Sequence, residues 1–220
     1  MVKVRAGERK KQLIIDTCKE LFYHNGFNNT TYEMICAKAD IAPGSITYHF
    51  TSKLEIAIAI ATENDEKLRQ YVSTIAKEDE IGHWAFTVLM IWARWYIFYA
   101  DSNMRRFFSE IYVDNFHLEN MLSIFRMHMQ YCSLEKTDDE LKLMSATFIG
   151  QDRLILKLLD CDPHHFTLEQ ITEYILFTLF MLMRLDTDVA QHASERGAAL
   201  FHEFQDRFNL DYFKEFKYQE

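Results

Sequence analysis

Residues 30–53 read Thr30-Thr31-Tyr32-Glu33-Met34-Ile35-Cys36-Ala37-Lys38-Ala39-Asp40-Ile41-Ala42-Pro43-Gly44-Ser45-Ile46-Thr47-Tyr48-His49-Phe50-Thr51-Ser52-Lys53. Two short helices with a tight turn between them are written into this stretch. Thr30 with Glu33 three residues later has the pattern of a capping box, so the first of the two is expected to start near Thr31, with Met34, Ile35 and Ala39 facing inward. Asp40-Ile41-Ala42 makes the connection, and Asp tolerates the left-handed backbone that a tight turn asks for. Pro43, with no N–H to leave unsatisfied, suits the first position of a second helix over 43–49. Ile46 and Phe50, four apart, share its inward side. Ser52 with Glu55 repeats the capping pattern and opens a long fourth helix, about 53–77.

Outward from this stretch the punctuation stays helical. With only 6 Gly and 2 Pro in 220 residues the chain lacks the turns of an all-β or loop-rich protein, so the expected class is all-α. A first helix over 8–25 carries Leu13, Ile14, Thr17, Leu21 and Phe22 at helical spacing, and Asn25-Gly26 stops it. Downstream, apolar periodicity predicts helices over 83–99, 104–132 (in one or two pieces), 138–159, 168–185, 190–208 and a short one over 212–216. Thr137 with Glu140 and Thr167 with Gln170 mark two of these starts.

The net charge of −9 argues at first against a nucleic-acid partner. Its distribution reverses that. Residues 1–55 hold 8 Lys and Arg against 6 Asp and Glu, a balance of +2, so the remaining 16 bases and 27 acids leave −11 downstream. A basic arm precedes the first helix, with Lys3, Arg5, Arg9, Lys10 and Lys11 against Glu8 alone. The four cysteines are widely spaced with no C-x-x-C pair, which suits neither a disulfide framework nor a zinc knuckle. His164-His165 lacks a helical i, i+4 partner, so no metal site is expected. The N-terminus has no apolar export signal and no apolar run is long enough to span a bilayer, so a cytoplasmic protein without membrane contact is expected.

Two short helices joined by a few residues, the second presenting small and polar side chains, form a helix-turn-helix, whose second helix reads the major groove of DNA. The competing reading is a capped helical hairpin with no partner. The segment Thr30-Thr31-x-x-x-Ile35 through Ile41-x-x-Gly44-Ser45-Ile46-x-Tyr48-His49-Phe50-x-Ser52-Lys53 resembles the DNA-binding domain of the tetracycline-repressor (TetR) family of regulators. The resemblance implies that Thr31 and Tyr32 contact phosphate, that Pro43, Gly44, Ser45 and Thr47 face base edges or nearby backbone, and that Tyr48, His49 and Lys53 clamp phosphates. It departs from the family at Asp40, usually Gly, at Ala42, usually a polar cap, and at Thr47, where an aromatic is common. It also implies two domains: residues 1–53, a three-helix DNA-binding head, and residues 54–220, a helical ligand-binding and dimerising body.

The body is rich in aromatic residues and Met. The resemblance suggests a small-molecule pocket there, lined by Trp92, Tyr96, Tyr112, Phe125, Phe148 and Gln151, although aromatic residues at helical spacing equally suit plain core. Ile171, Ile175, Leu176, Leu179, Phe180, Leu182 and Met183 make the 168–185 helix apolar around most of its circumference, which predicts burial by a second copy. Taken together, the expectation is a homodimeric, ligand-responsive repressor on a palindromic double-stranded operator, with no cofactor. No nucleophile-base set, phosphate loop or metal motif supports an enzyme. The alternative is a helical interaction adaptor that no longer binds DNA, which the acidic body and Ala42 favour.

Overall fold

The protein is described here from a computed structural model covering residues 6–111, 115–132, 134–163, 165–208 and 210. Tyr112, Lys3 and Arg5 of the basic arm, and the short helix expected over 212–216 lie outside the described residues. Eleven α-helices follow in order among the described residues: α1 (Ala6–Asn25), α2 (Tyr32–Ala39), α3 (Pro43–His49), α4 (Lys53–Ile75), α5 (Glu78–Ile81), α6 (His83–Ala100), α7 (Ser102–Ile111), α8 (Asn115–Met129), α9 (Asp138–Cys161), α10 (Leu168–Met183) and α11 (Thr187–Phe204). A 3-10 turn, Gln205–Arg207, extends α11.

The caps explain most boundaries. Gly26 stops α1 at φ 85°, its N–H donating to Phe22 O. Thr137 with Glu140 and Thr167 with Gln170 form reciprocal capping boxes at α9 and α10. Two expected caps differ. Thr31, not Thr30, caps α2, its Oγ1 accepting from Met34 N. Thr30 is buried instead, its hydroxyl donating to Gly26 O at 2.7 Å and tying the α1–α2 turn together. Ser52 caps α4 by accepting from Glu55 N, but the Glu55 carboxylate turns back to Thr51 N and Oγ1, so the box is half formed. The short α5 had no sequence signal, since one turn is too brief for periodicity.

The N-terminal helices pack around Ile14, Cys18, Phe22, Ile35, Ile46 and Phe50. Leu13, expected inward, faces solvent because Ile14, Ile15 and Cys18 occupy the buried side of α1. In the body α6 is buried on nearly all sides, against α4, α5, α7, α10 and α11. The head is held to the body at a second place by α7. There Arg106 donates to Tyr23 O and His24 O, Glu110 accepts from Asn28 N, and the Phe22 and Phe107 rings stack at 5.8 Å.

The α6–α11 crossing is close because Gly197 lets the backbones meet. A Cβ there would stand 2.6 Å from Val88 Cβ and 2.7 Å from Ala85 O. Gly197→Ala gains up to about 1 kcal/mol of helix propensity but forces the helices apart, at about 1–3 kcal/mol of overpacking. We expect a net loss of stability in denaturant unfolding, smaller in the Gly197→Ala/Val88→Ala double mutant than the two single losses added. Additive losses would show that the two residues do not meet.

Candidate nucleic-acid interface

The α2–α3 unit is set by its turn. Asp40 takes the left-handed conformation at φ 51°, ψ 51°, and its N–H and that of Ile41 both reach Cys36 O, which closes α2 and reverses the chain. Ala42 offers α3 no side-chain cap, so Pro43 at its first position and the Ser45 N–H to Ala42 O bond open that helix. Ile46 and Phe50 are buried, which fixes the rotation of α3 about its axis. Pro43, Gly44, Thr47 and Tyr48 consequently face solvent, with Ser45 and His49 half-buried at the edges.

Tyr48 is 82% exposed and braced edge-on by His49 at 4.9 Å. Thr31 and Tyr32 at the start of α2 are also exposed. A Cβ at Gly44 would meet no other described atom within 4 Å, so packing within the chain does not demand glycine there. Its absence leaves the backbone open to close approach from outside.

Lys53 stands differently from the phosphate clamp expected of it. Its ammonium donates to Phe27 O and Thr30 O, both at 2.7 Å, and lies 4.4 Å from the centre of the Phe27 ring. Burial lowers its pKa below the ordinary lysine value, against the opposing pull of Glu110. Lys53 thus holds the α1–α2 turn, and through it the start of α2.

A second feature lies inside the body. A cavity of about 140 Å³ is lined by Phe125 and Phe148, with Phe86, Trp95, Met90 and Met121. Its polar residues include Arg69 of α4, Glu78, His83 and His128. Glu78 joins His83 Nδ1 at 2.6 Å and Arg69 at 2.9 Å, while His83 Nε2 lies 2.8 Å from His128 Nδ1. Burial, then the neighbouring His83, lowers the His128 pKa to about 4. This relay went unseen in the sequence, because its members are 45 residues apart and nothing local couples them. Trp92 and Tyr96, expected in the same pocket, lie elsewhere: Trp92 packs on Phe201 and His202, and Tyr96 on Phe201 and Phe208. Gln151 donates to Tyr174 O at the α9–α10 surface.

Residues 14–60 match the family of bacterial regulatory proteins, tetR family. The HTH-type transcriptional regulator UidR of Escherichia coli (strain K12) is 33% identical over 54 residues, 24% of this chain and 28% of UidR. The HTH-type transcriptional regulator SrpR of Pseudomonas putida is 33% identical over 62 residues, 28% of this chain and 29% of SrpR. The chain thus matches less than a third of the length of these curated relatives. Full-length TylP, a tetR regulator from Streptomyces fradiae, shares the fold more widely, with a TM-score of 0.52 at 16% identity over 91% of this chain and 92% of that one.

Two outcomes follow from these placements. Lys53→Met strips two carbonyls of their donor and should cost about 1–2 kcal/mol of stability, whereas Tyr48→Ala should stay within about 0.5 kcal/mol; equal melting temperatures for the two would show that the Lys53 bonds contribute nothing. His128, with a folded pKa of about 4 against 6.5 unfolded, takes up its proton more readily in the unfolded chain. Its contribution is therefore complete above pH 6.5 and is lost as the pH falls toward 4, by at most about 3 kcal/mol. Unfolding titrations across that window should slope less steeply in His128→Gln, and an unchanged slope would remove His128 as the cause.

Proposed function

We propose that this protein, which carries a tetR-family domain at residues 14–60, is a transcriptional regulator that binds a palindromic operator as a homodimer and releases it when a small molecule enters the body cavity. The observation that carries the reading is the exposed row Pro43, Gly44, Thr47 and Tyr48, turned outward by the burial of Ile46 and Phe50 and flanked by Thr31 and Tyr32. In this arrangement the first turn of α3 meets base edges, while Thr31, Tyr32, Tyr48 and His49 meet phosphates. Lys53 contributes by holding the turn that presents α2. The head comprises residues 1–53, and residues 54–220 form the body. A regulator of this kind works in the cytoplasm, on the chromosome.

The dimer reading rests on one apolar face. Leu143, Leu154 and Leu158 of α9 and Tyr174, Phe177 and Met181 of α10 are all more than half exposed, Leu143 at 70%. Leu143 and Leu158 are 15 residues apart, about 22 Å along the helix, which is a long apolar stripe for a monomer to leave in water. The inward side of α10, with Ile171, Ile175, Leu176 and Leu179, is buried within the chain. A second copy covering the outer side gives a four-helix bundle with two reading heads on one DNA.

Coupling runs along α4. Ser52 caps it at the head, and Arg69 on the same helix lines the cavity and shares Glu78 with His83. A ligand that alters this wall shifts α4, and with it the separation of the two heads, provided it binds the two arrangements unequally.

Selection of genomic fragments by the purified chain at near-physiological salt should enrich one palindrome. Tyr48→Ala should weaken binding to it and leave the dimer intact, whereas Leu154→Glu/Phe177→Glu should yield a folded monomer that binds it poorly. A folded wild-type dimer that enriches no sequence would defeat the regulator reading, and a double mutant that sediments as a dimer would defeat the proposed interface.

A further inference from the structure

The relay on the cavity wall has a direction. Glu78 is shared, accepting from Arg69 at 2.9 Å and facing His83 Nδ1 at 2.6 Å. A carboxylate only accepts, so His83 Nδ1–H donates to it, and Nε2, the other nitrogen of the ring, accepts from His128 Nδ1–H. What remains to His128, whose ring lines the cavity, is the Nε2 lone pair, an acceptor with no hydrogen-bond partner among the described residues. Burial keeps that ring neutral, with its pKa lowered to about 4. Tyr131 stacks flat on His83 at 3.6 Å and Trp84 lies along His128 at 5.2 Å, so both rings are held in place.

The remaining lining narrows the chemistry. Arg94 is paired with Asp65 at 3.1 Å and Arg69 with Glu78, while Asp152 adds a buried carboxylate to the lining. An anion would find both guanidinium groups already paired and would face that carboxylate. A wholly apolar guest would bury the His128 lone pair unsatisfied, and a guest with acceptors alone would do the same. The other walls, with Phe86, Trp95, Phe125 and Phe148, suit a flat aromatic body. The volume of about 140 Å³ is near the size, about 150 Å³, at which an apolar protein cavity admits benzene.

We infer that the cavity takes a neutral single-ring aromatic molecule bearing a hydroxyl, its O–H donating to His128 Nε2 and its ring lying among the Phe and Trp side chains. This rests on the proposal that the cavity is the effector site. The hydroxyl completes the chain His128–His83–Glu78, so that discrimination among guests comes from satisfying a buried acceptor.

Para-substituted toluenes of one size test it on the full chain by titration calorimetry at pH 7.5: p-cresol, p-xylene, p-tolunitrile, p-toluate and 4-methylbenzylamine. We expect p-cresol to bind about tenfold or more tighter than each of the others, the scale of one hydrogen bond to a group otherwise buried unpaired. In His128→Phe, p-cresol should fall to the affinity of p-xylene while p-xylene is retained, which shows the cavity still folded. Binding of the nitrile, the anion or the amine as tightly as p-cresol, or a p-cresol preference that survives in His128→Phe, overturns the inference. If p-xylene binds with no preference for p-cresol, the hydroxyl assignment fails and the cavity remains an effector site. If no probe binds to folded dimer, the effector-site reading fails and takes the inference with it.

Discussion

A seven-residue helix has too few internal hydrogen bonds to offset the cost of its own nucleation, so α3 exists only because Ile46 and Phe50 are buried beneath it. That constraint orders the whole head. Burying two residues four apart settles which side of α3 is inward, and the opposite side, Pro43, Gly44, Thr47 and Tyr48, becomes outward without any interaction of its own. The left-handed Asp40 sets the angle between α2 and α3. Thr30 and Lys53 then fix where α2 starts: the Thr30 hydroxyl holds Gly26 O, and the Lys53 ammonium holds Phe27 O and Thr30 O. Four backbone and side-chain devices thus converge on the placement of two short helices.

The body answers a different constraint. α6 is so nearly surrounded that its polar atoms must be satisfied within the fold, and the Glu78–His83–His128 chain is one way of doing so at its N-terminal end. Gly82, at φ 85°, ends α5 and starts α6 in one residue, and this turn brings Glu78 back against His83 five positions later. At the far side of α6, Gly197 lets α11 approach until Val88 touches its backbone. Packing on one side and a polar relay on the other leave the cavity between α6, α8, α9 and α10.

Local chemistry was legible in the sequence and long-range pairing was not. The turn at Asp40, Pro43 at the start of α3, the Gly26 stop and the capping boxes at Thr137 and Thr167 are all decided within five residues, and each is where its pattern puts it. Thr30 and Thr31 both precede the same helix and both offer a hydroxyl, and only the buried position of Thr30 separates them. Helical spacing puts Trp92 and Tyr96 with Phe125 and Phe148 as readily as apart from them, because α6 is apolar on both sides and periodicity does not say which side faces α8 and which faces α11. Lys53 has the position of an outward charge by resemblance, and only the fold brings the carbonyls of Phe27 and Thr30 within its reach.

The way the head is attached limits how it can respond. It meets the body through α4, which leaves from Ser52, and around α7, where Arg106 and Glu110 grip the end of α1 and the turn after it and the Tyr23 hydroxyl donates to Asp101 at the α6–α7 junction. From Ser52 to Arg69 is 17 residues, about 25 Å of uninterrupted helix, so α4 is one continuous connection between the cavity wall and the head. α7 has no such direct line: buried Arg105 binds it to Asp160 of α9 and to Phe98 O and Tyr99 O of α6. A head fixed at two points cannot swing with α4 alone. Either the Arg106, Glu110 and Asp101 bonds to the α1 end yield, or α7 moves along with α6 and α9. In the second case the helix that carries Leu143, Leu154 and Leu158 is drawn into the same motion, and the proposed dimer face and the separation of the two heads change together.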